Sequence, residues 1–284
     1  CNSLQAGFFN TYRHLVNSEG KGAAARVDFV LHLGDFIYEN VPDPDAEPPR
    51  YTDGRAKVVT PFAADALPGP RGTRLATTLA DYRSLYRDYL SDPDLQEARA
   101  LFPFVHVWDD HEYGDDAWQT FTGDVARPSR KLQANQAWFE YVPAILTESA
   151  PVTGVAAHAS DFQTVEVEDT PVAAFDDNFL ATEANTLAAL QSMTIYRSLR
   201  WGANMELILT DQRTYRSPAG TLEIGTSFIG DGESALNPDR GLPYEAVMKF
   251  AAGREYMNGN PPATLVINGQ TVPNSRRDSP PVTM

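Results

Sequence analysis

The chain has 284 residues, 42% of them hydrophobic, with a formal net charge of −15 and one cysteine, Cys1. It is long enough for one large or two small cores, and its apolar runs, such as Phe102 to Trp108, fall far short of the roughly 20 residues that cross a bilayer. The acidic excess argues against a binder of nucleic-acid backbone, which needs a concentrated basic surface. It suits a secreted protein, a binder of multivalent cations or a solvated acidic surface, and the lone cysteine excludes an internal disulfide.

Val27 to Leu33 is rich in branched and aromatic residues and stops at Gly34, the pattern of a buried strand ending in a turn. Asp35 then stands just past the strand's carboxyl end. From about Val41 to Gly72 the chain is rich in Pro and Gly, too long for an ordinary connection and read as a surface excursion. Leu79 to Leu90 is predicted helical, with Tyr82, Leu85, Tyr86, Tyr89 and Leu90 on one core-facing stripe. Phe102 to Trp108 repeats the first pattern, an apolar strand running directly into the polar segment Asp109 to Asp116. Ligands of open α/β sheets gather outside the carboxyl ends of strands, so the two acidic loops are expected to face one crevice.

A second helix is predicted over Lys131 to Tyr141, with Ala134, Ala137, Trp138 and Tyr141 on its buried face and Pro143 limiting it. Ile195 to Trp201 and Met205 to Asp211 read as strands of a hairpin turning at Gly202-Ala203-Asn204. Ser217 to Pro243 reads as loop and Tyr244 to Met257 as a helix weakened by Gly253, and the tail from Asn258 is rich in Pro and Asn. His32 and His106, inside apolar strands, read as core histidines. His14 and His158 have no supporting neighbours. There is no internal repeat.

The chemistry concentrates in the two acidic loops. Asp35 and Tyr38, close in sequence after a sharp turn at Gly34, can converge on a cation. Taken alone, Tyr38 reads first as a packed side chain with a hydrogen-bonded hydroxyl, because a phenol with a reference pKa near ~10 becomes a ligand only beside a strongly polarising ion such as ferric iron. Asp109-Asp110-His111-Glu112 gathers ionisable groups whose mutual repulsion a cation would offset. Asp115 and Asp116 add oxygen donors suited to calcium, manganese or magnesium. A capped turn with solvated charges is the competing reading.

These residues resemble the PhoD-like alkaline phosphatases of the calcineurin-like metallophosphoesterase superfamily. The resemblance rests on Asp28 through Glu39, on Asp81-Tyr82-Arg83 with Tyr86, on Trp108 through Glu112, and on Tyr196-Arg197 through Trp201-Gly202 to Asp211-Gln212-Arg213-Thr214-Tyr215-Arg216. Gly34-Asp35-x-x-Tyr38 is also similar to the element with which purple acid phosphatases bind ferric iron. The resemblance implies an α/β (α+β) fold, a β-sandwich core flanked by helices. It implies a multinuclear centre of ferric iron with calcium, manganese or magnesium, and hydrolysis of phosphate monoesters and diesters by a metal-activated hydroxide. It implies metal ligands at Cys1, Asp35, Tyr38, Asp110 and Asp115, and His111 as the proton donor. Cys1 has competing readings as a mere chain end or a lipid-modified first residue. Arg213 and Arg216 are read as pairing with carboxylates before substrate phosphate. The substrate-binding residues and the oligomeric state are not legible.

The resemblance further implies a secreted, periplasmic or cell-envelope protein, although no export signal is visible. This sequence departs from the family where Tyr113-Gly114-Asp115-Asp116 replaces a run with a metal-binding asparagine. It also has no histidine after His158, where the family carries a second half with a Gly-Asp-Val-His element. Residues 1–284 are therefore expected to be the N-terminal portion of a catalytic domain, incomplete as a fold, with surface insertions at about 41–76, 148–190 and 217–243. The alternative is a truncated, non-catalytic metal-binding remnant or module acting through a partner.

Overall fold

The computed structural model describes residues 2–19, 27–43, 45, 60–63, 66–70, 72–123, 125–142, 162–176, 180–216, 263–267 and 270–273. It divides the chain into two compact units, Cys1–Pro171 with Ala184–Thr214, and Val172–Glu183 with Tyr215–Met284. The first unit runs α1 (Asn10–Glu19), β1 (Val30–His32), β2 (Asn40–Pro42), β3 (Pro68–Gly69), β4 (Thr73–Leu75), α2 (Leu79–Leu90), α3 (Pro93–Leu101), β5 (Phe104–His106), β6 (Phe121–Thr122), β7 (Val125–Ala126), α4 (Pro128–Tyr141), α5 (Ala184–Gln191), β8 (Arg197–Trp201) and β9 (Met205–Leu209). In the second unit β10 (Thr264–Ile267) and β11 (Gln270–Pro273) form an antiparallel hairpin. The class is mixed α/β, as expected. Among the described residues no helix is long and apolar enough to cross a membrane.

The pairing that positions the site is β1 with β5. They run parallel, with Val30 opposite Phe104, Leu31 opposite Val105 and His32 opposite His106. Parallel register brings the residues that follow both strands to the same edge. Both strands are shorter than the apolar runs that predicted them. The remaining sheets of the first unit are antiparallel: β2-β4-β3, β6-β7, and β8-β9, whose turn passes through Gly202 at φ +63°.

α2 starts where Thr78 accepts from the Asp81 N–H and the Asp81 carboxylate accepts from the Thr78 N–H, a reciprocal cap of the helix start. Its buried face is Tyr82, Leu85, Tyr86 and Tyr89, the predicted stripe without Leu90, which is only partly buried. α4 begins earlier than predicted, at Pro128, because a proline in the first turn loses no helical hydrogen bond. Its inward face carries Ala134, Ala137 and Trp138 as expected, and also Arg130 and Lys131, which periodicity could not assign to a core. Phe36, Ile37, Val41, Tyr82, Tyr86, Trp108 and Trp138 share one core cluster, which contains residues of both acidic loops.

Several elements carried no sequence prediction. α1 and α3 are short helices that pack on each other, α5 packs on α4, and the tail rich in Pro and Asn contains the β10-β11 hairpin. The predicted surface excursion enters through β2, where Val41 is fully buried. The predicted loop 217–243 and helix 244–257 lie outside the described residues, as does His158.

His32 and His106 are core residues, 8% and 1% exposed, with ring centroids 5.4 Å apart. Burial pushes their pKa values down, to about 4 for His32 and about 2 for His106. Both folded-state values lie below the ordinary one, so the unfolded chain takes up protons that the folded chain refuses. Their stability contribution is intact above about pH 6.5 and is lost as pH falls, by roughly 1.4 kcal/mol per pH unit per histidine. His106→Leu is expected to flatten the fall in unfolding free energy between about pH 6.5 and 4. Denaturant melts at stepped pH read this directly, and an unchanged slope contradicts it.

Candidate active site

The site is built where the loops after β1 and β5 touch. Gly34 has φ +107°, and a Cβ there would lie 2.3 Å from the Asp109 N and 2.7 Å from the Trp108 carbonyl carbon. Backbone meets backbone at that point, so nothing flexible can yield. Gly34→Ala is expected to cost about 3 kcal/mol from the backbone conformation and the clash together, and to separate the loops. A shifted thermal melt with loss of metal binding checks this. Asp35 follows at φ +52°, a conformation uncommon for a residue with a side chain.

Glu112 holds the two loops together. Its carboxylate is 3% exposed and accepts from the Phe36 N–H at 2.7 Å, the Asp35 N–H at 3.2 Å and the Asp109 N–H at 2.9 Å. Burial raises its pKa to about 7 despite those bonds. Within the acidic run, then, Glu112 accepts from backbone amides of both loops, whereas Asp110 accepts from the His111 and Asp116 N–H groups of its own loop and faces Asp35.

Oxygen atoms of Asp35 and Asp110 and a ring nitrogen of His111 all lie within 4.8 Å of one another. Both carboxylates are buried, 7% and 6% exposed. Burial, with the adjacent Asp110 charge, pushes the Asp35 pKa up. Burial also acts to raise Asp110, but Arg213, His111 and the Asp116 N–H outweigh it and hold its pKa below the ordinary value. A cation between them would remove the repulsion that separates the two values. The Tyr38 hydroxyl donates to Asp35 Oδ2 at 3.2 Å, and burial followed by the Asp35 charge raises its pKa. Tyr38 is therefore a neutral hydrogen-bond donor unless a strongly polarising ion displaces its proton.

The His111 ring lies against Tyr38, centroids 4.1 Å apart with the planes tilted by 32°, and its Nδ1 lies 2.6 Å from Glu39 Oε2. Its Nε2 is 3.6 Å from Asp115 Oδ1. Burial works against the charged ring, but the bond to Glu39 and the charges of Glu39, Asp110 and Asp35 prevail and raise its pKa to about 9. Asp115 stands at the rim with its side chain 66% exposed, and it is not a member of the close group formed by Asp35, Asp110 and His111. Cys1 lies outside the described residues. Its neighbour Asn2 donates its N–H to the Asp35 carbonyl at 3.1 Å.

Arg213, read from sequence as a partner of carboxylates, bonds Asp109 Oδ1 through Nε at 2.6 Å and lies 3.6 Å from Asp110 Oδ2. Asp211 accepts from Trp108 Nε1 at 2.9 Å and from the Arg213 and Thr214 N–H groups, which binds the segment after β9 to the second acidic loop. An open cleft of about 920 Å³ reaches the site, lined by Asp35, Tyr38 and Asp109 together with Phe8, Leu31 and Leu33. Glu39 and Glu112 had no assigned role in the sequence reading. The available signal was an acidic residue directly flanking an apolar or aromatic segment, where burial forces a carboxylate to find donors.

Fold and site together define an α/β protein with an acidic centre, outside the carboxyl ends of two parallel strands, whose donors suit a hard cation. A family model described as PhoD-like phosphatase matches residues 1–248, and the chain belongs to that family. It is 31% identical over 147 residues to alkaline phosphatase D of Bacillus subtilis (strain 168), a match covering 50% of this chain and 21% of that protein. The solved structure titled "Structure of PhoD" aligns with 89% of this chain and 38% of its own at 24% identity, with a TM-score of 0.49. The chain thus spans well under half the length of these two relatives.

Proposed function

We propose that the protein hydrolyses phosphate esters, monoesters and diesters, at a metal centre held by this site. The carrying observation is the grouping of Asp35, Asp110 and His111 within 4.8 Å, two buried carboxylates beside one imidazole. Family membership and the alkaline phosphatase relative support the reaction class. The donors fit the group: buried carboxylate oxygens and a phenol suit ferric iron, and the exposed Asp115 suits calcium, manganese or magnesium. Asp35, Asp110 and Tyr38 would hold the ions with Asp115 and Cys1. When bound, these ions supply positive charge to phosphoryl oxygens and lower the pKa of water.

The chain's own residues do the rest. His111 delivers a proton to the departing ester oxygen. Arg213 holds Asp109 and faces Asp110, which keeps the second loop in place. The apolar part of the cleft receives the ester's organic group. The same family reading makes the protein an exported one.

Elemental analysis of the purified native protein, with hydrolysis of p-nitrophenyl phosphate and bis-p-nitrophenyl phosphate before and after chelation, tests this. Activity is expected to fall about a hundredfold or more on chelation and to return with iron and calcium. A metal-loaded protein that hydrolyses neither ester would falsify the proposal.

A further inference from the structure

One part of the cleft that reaches Asp35 and Tyr38 is apolar, and the fold holds its side chains there. Leu31 in β1 and Leu33 just after it are 37% and 65% exposed, whereas His32 between them is buried. Side chains two apart on an extended strand share a face, so the two leucines form a strip that runs into Gly34 and Asp35. Phe8 lines the same cleft and, at 83%, is the most exposed large apolar side chain among the described residues. The segment that carries it is tied to the core on both sides. Asn2 donates its N–H to the Asp35 carbonyl at 3.1 Å, Gln5 Nε2 donates to the Asn40 carbonyl at 2.6 Å, and Phe9 is buried against Tyr12 and Tyr89. Because Phe9 takes the core position, Phe8 is left facing outward.

The charge of the cleft is as one-sided as its apolar strip. Among the described residues that line it there is no lysine or arginine, and the acidic ones are Asp35 and Asp109, of which Asp109 is already paired with Arg213. The cleft therefore offers apolar area to a neutral group and no counter-charge to an anionic one. Exposed apolar side chains gathered beside a polar centre are the composition of a ligand site.

We propose that Phe8, Leu31 and Leu33 form the subsite for the organic group of the substrate, and that they select esters whose group is uncharged and aromatic over esters that carry a second anion, such as a further phosphate or a carboxylate. This rests on the reading of Asp35 and Asp110 as part of the phosphoryl centre.

Phosphonates test the subsite without turnover, because their carbon–phosphorus bond is not an ester. The metal-loaded native protein is titrated calorimetrically with methylphosphonate, phenylphosphonate and 4-carboxyphenylphosphonate at alkaline pH, where each phosphonate head is fully ionised. Phenylphosphonate is expected to bind about tenfold more tightly than methylphosphonate, the effect of covering one ring with apolar surface. 4-Carboxyphenylphosphonate should lose most of that gain. A double variant, Phe8→Ala with Leu33→Ala, should bind the phenyl and methyl compounds within about twofold of each other. Its melting temperature should match the parent, because both side chains are mostly exposed. Equal binding of the phenyl and methyl compounds by the parent, or a gain that survives the double substitution, overturns the subsite. A carboxyphenyl compound bound as tightly as the phenyl one overturns the selection against a second anion. If the parent binds methylphosphonate without a phenyl gain, the subsite falls and the phosphoryl centre stands. If it binds no phosphonate, both fall.

Discussion

Asp35→Asn is expected to reduce hydrolysis of p-nitrophenyl phosphate by about a thousandfold or more, because charge stabilisation by a bound cation is worth several kcal/mol. The amide keeps the shape of the carboxylate and an oxygen to accept from Tyr38, which sits 3.2 Å away in the parent. Phe36 and Ile37, the next residues, are buried in the core and unaffected by the change. What disappears is one of the two buried negative charges of the pair. Burial and Asp110 already oppose ionisation of Asp35, so in the metal-free protein the amide relieves repulsion. The melting temperature of the metal-free variant should equal or exceed that of the metal-free parent, while activity and bound metal collapse. Opposite movement of stability and function is the signature of a functional carboxylate. Joint loss of both would mean that Asp35 is needed for folding.

Glu112→Ala should move both quantities the same way. The carboxylate accepts from the backbone N–H groups of Asp35, Phe36 and Asp109. Each buried donor left without an acceptor costs about 1–3 kcal/mol, so a destabilisation of roughly 3 kcal/mol or more is expected, read from denaturant unfolding. Because those amides hold the loops of Asp35 and Asp110 together, metal affinity and hydrolysis should fall with stability. Glu112→Gln keeps an oxygen acceptor but turns an amide NH₂ toward at least one N–H donor. Its loss should be intermediate. An Ala variant of parental stability would show that the loops are held by something else.

The two substitutions sit in motifs that sequence alone picked out; the family resemblance implied a ligand role for Asp35, and nothing in the sequence assigned a role to Glu112. Asp35, Asp110 and Glu112 are each an acidic residue beside a strand or within an acidic run. Their different duties follow from direction: Glu112 accepts from three backbone amides that tie the two loops together, whereas Asp110, which accepts from the His111 and Asp116 N–H groups of its own loop, also lies against Asp35 and the His111 ring. Side-chain direction in a loop depends on φ values such as the +107° of Gly34 and +52° of Asp35. Sequence hints at such values through glycine but does not state them for aspartate. Glu39 shows the same limit. It belongs to the family element, but its contact to His111 spans 72 positions, a distance that no local pattern reports.

By itself, then, the amino-acid order settled what local physics controls. The tyrosine stripe of α2, the apolar strands ending at acidic loops and the hairpin at Gly202 were legible, because periodicity, turn residues and charge clustering act over a few neighbours; the PhoD-like family was legible through resemblance to the order of its motifs. Short elements such as α1 and α3 were not, since their stability comes from packing on each other more than from propensity. Only the tertiary structure decided which ionisable groups of the two acidic loops meet, because the parallel register of β1 with β5 and the contact at Gly34 bring together atoms that lie more than seventy residues apart.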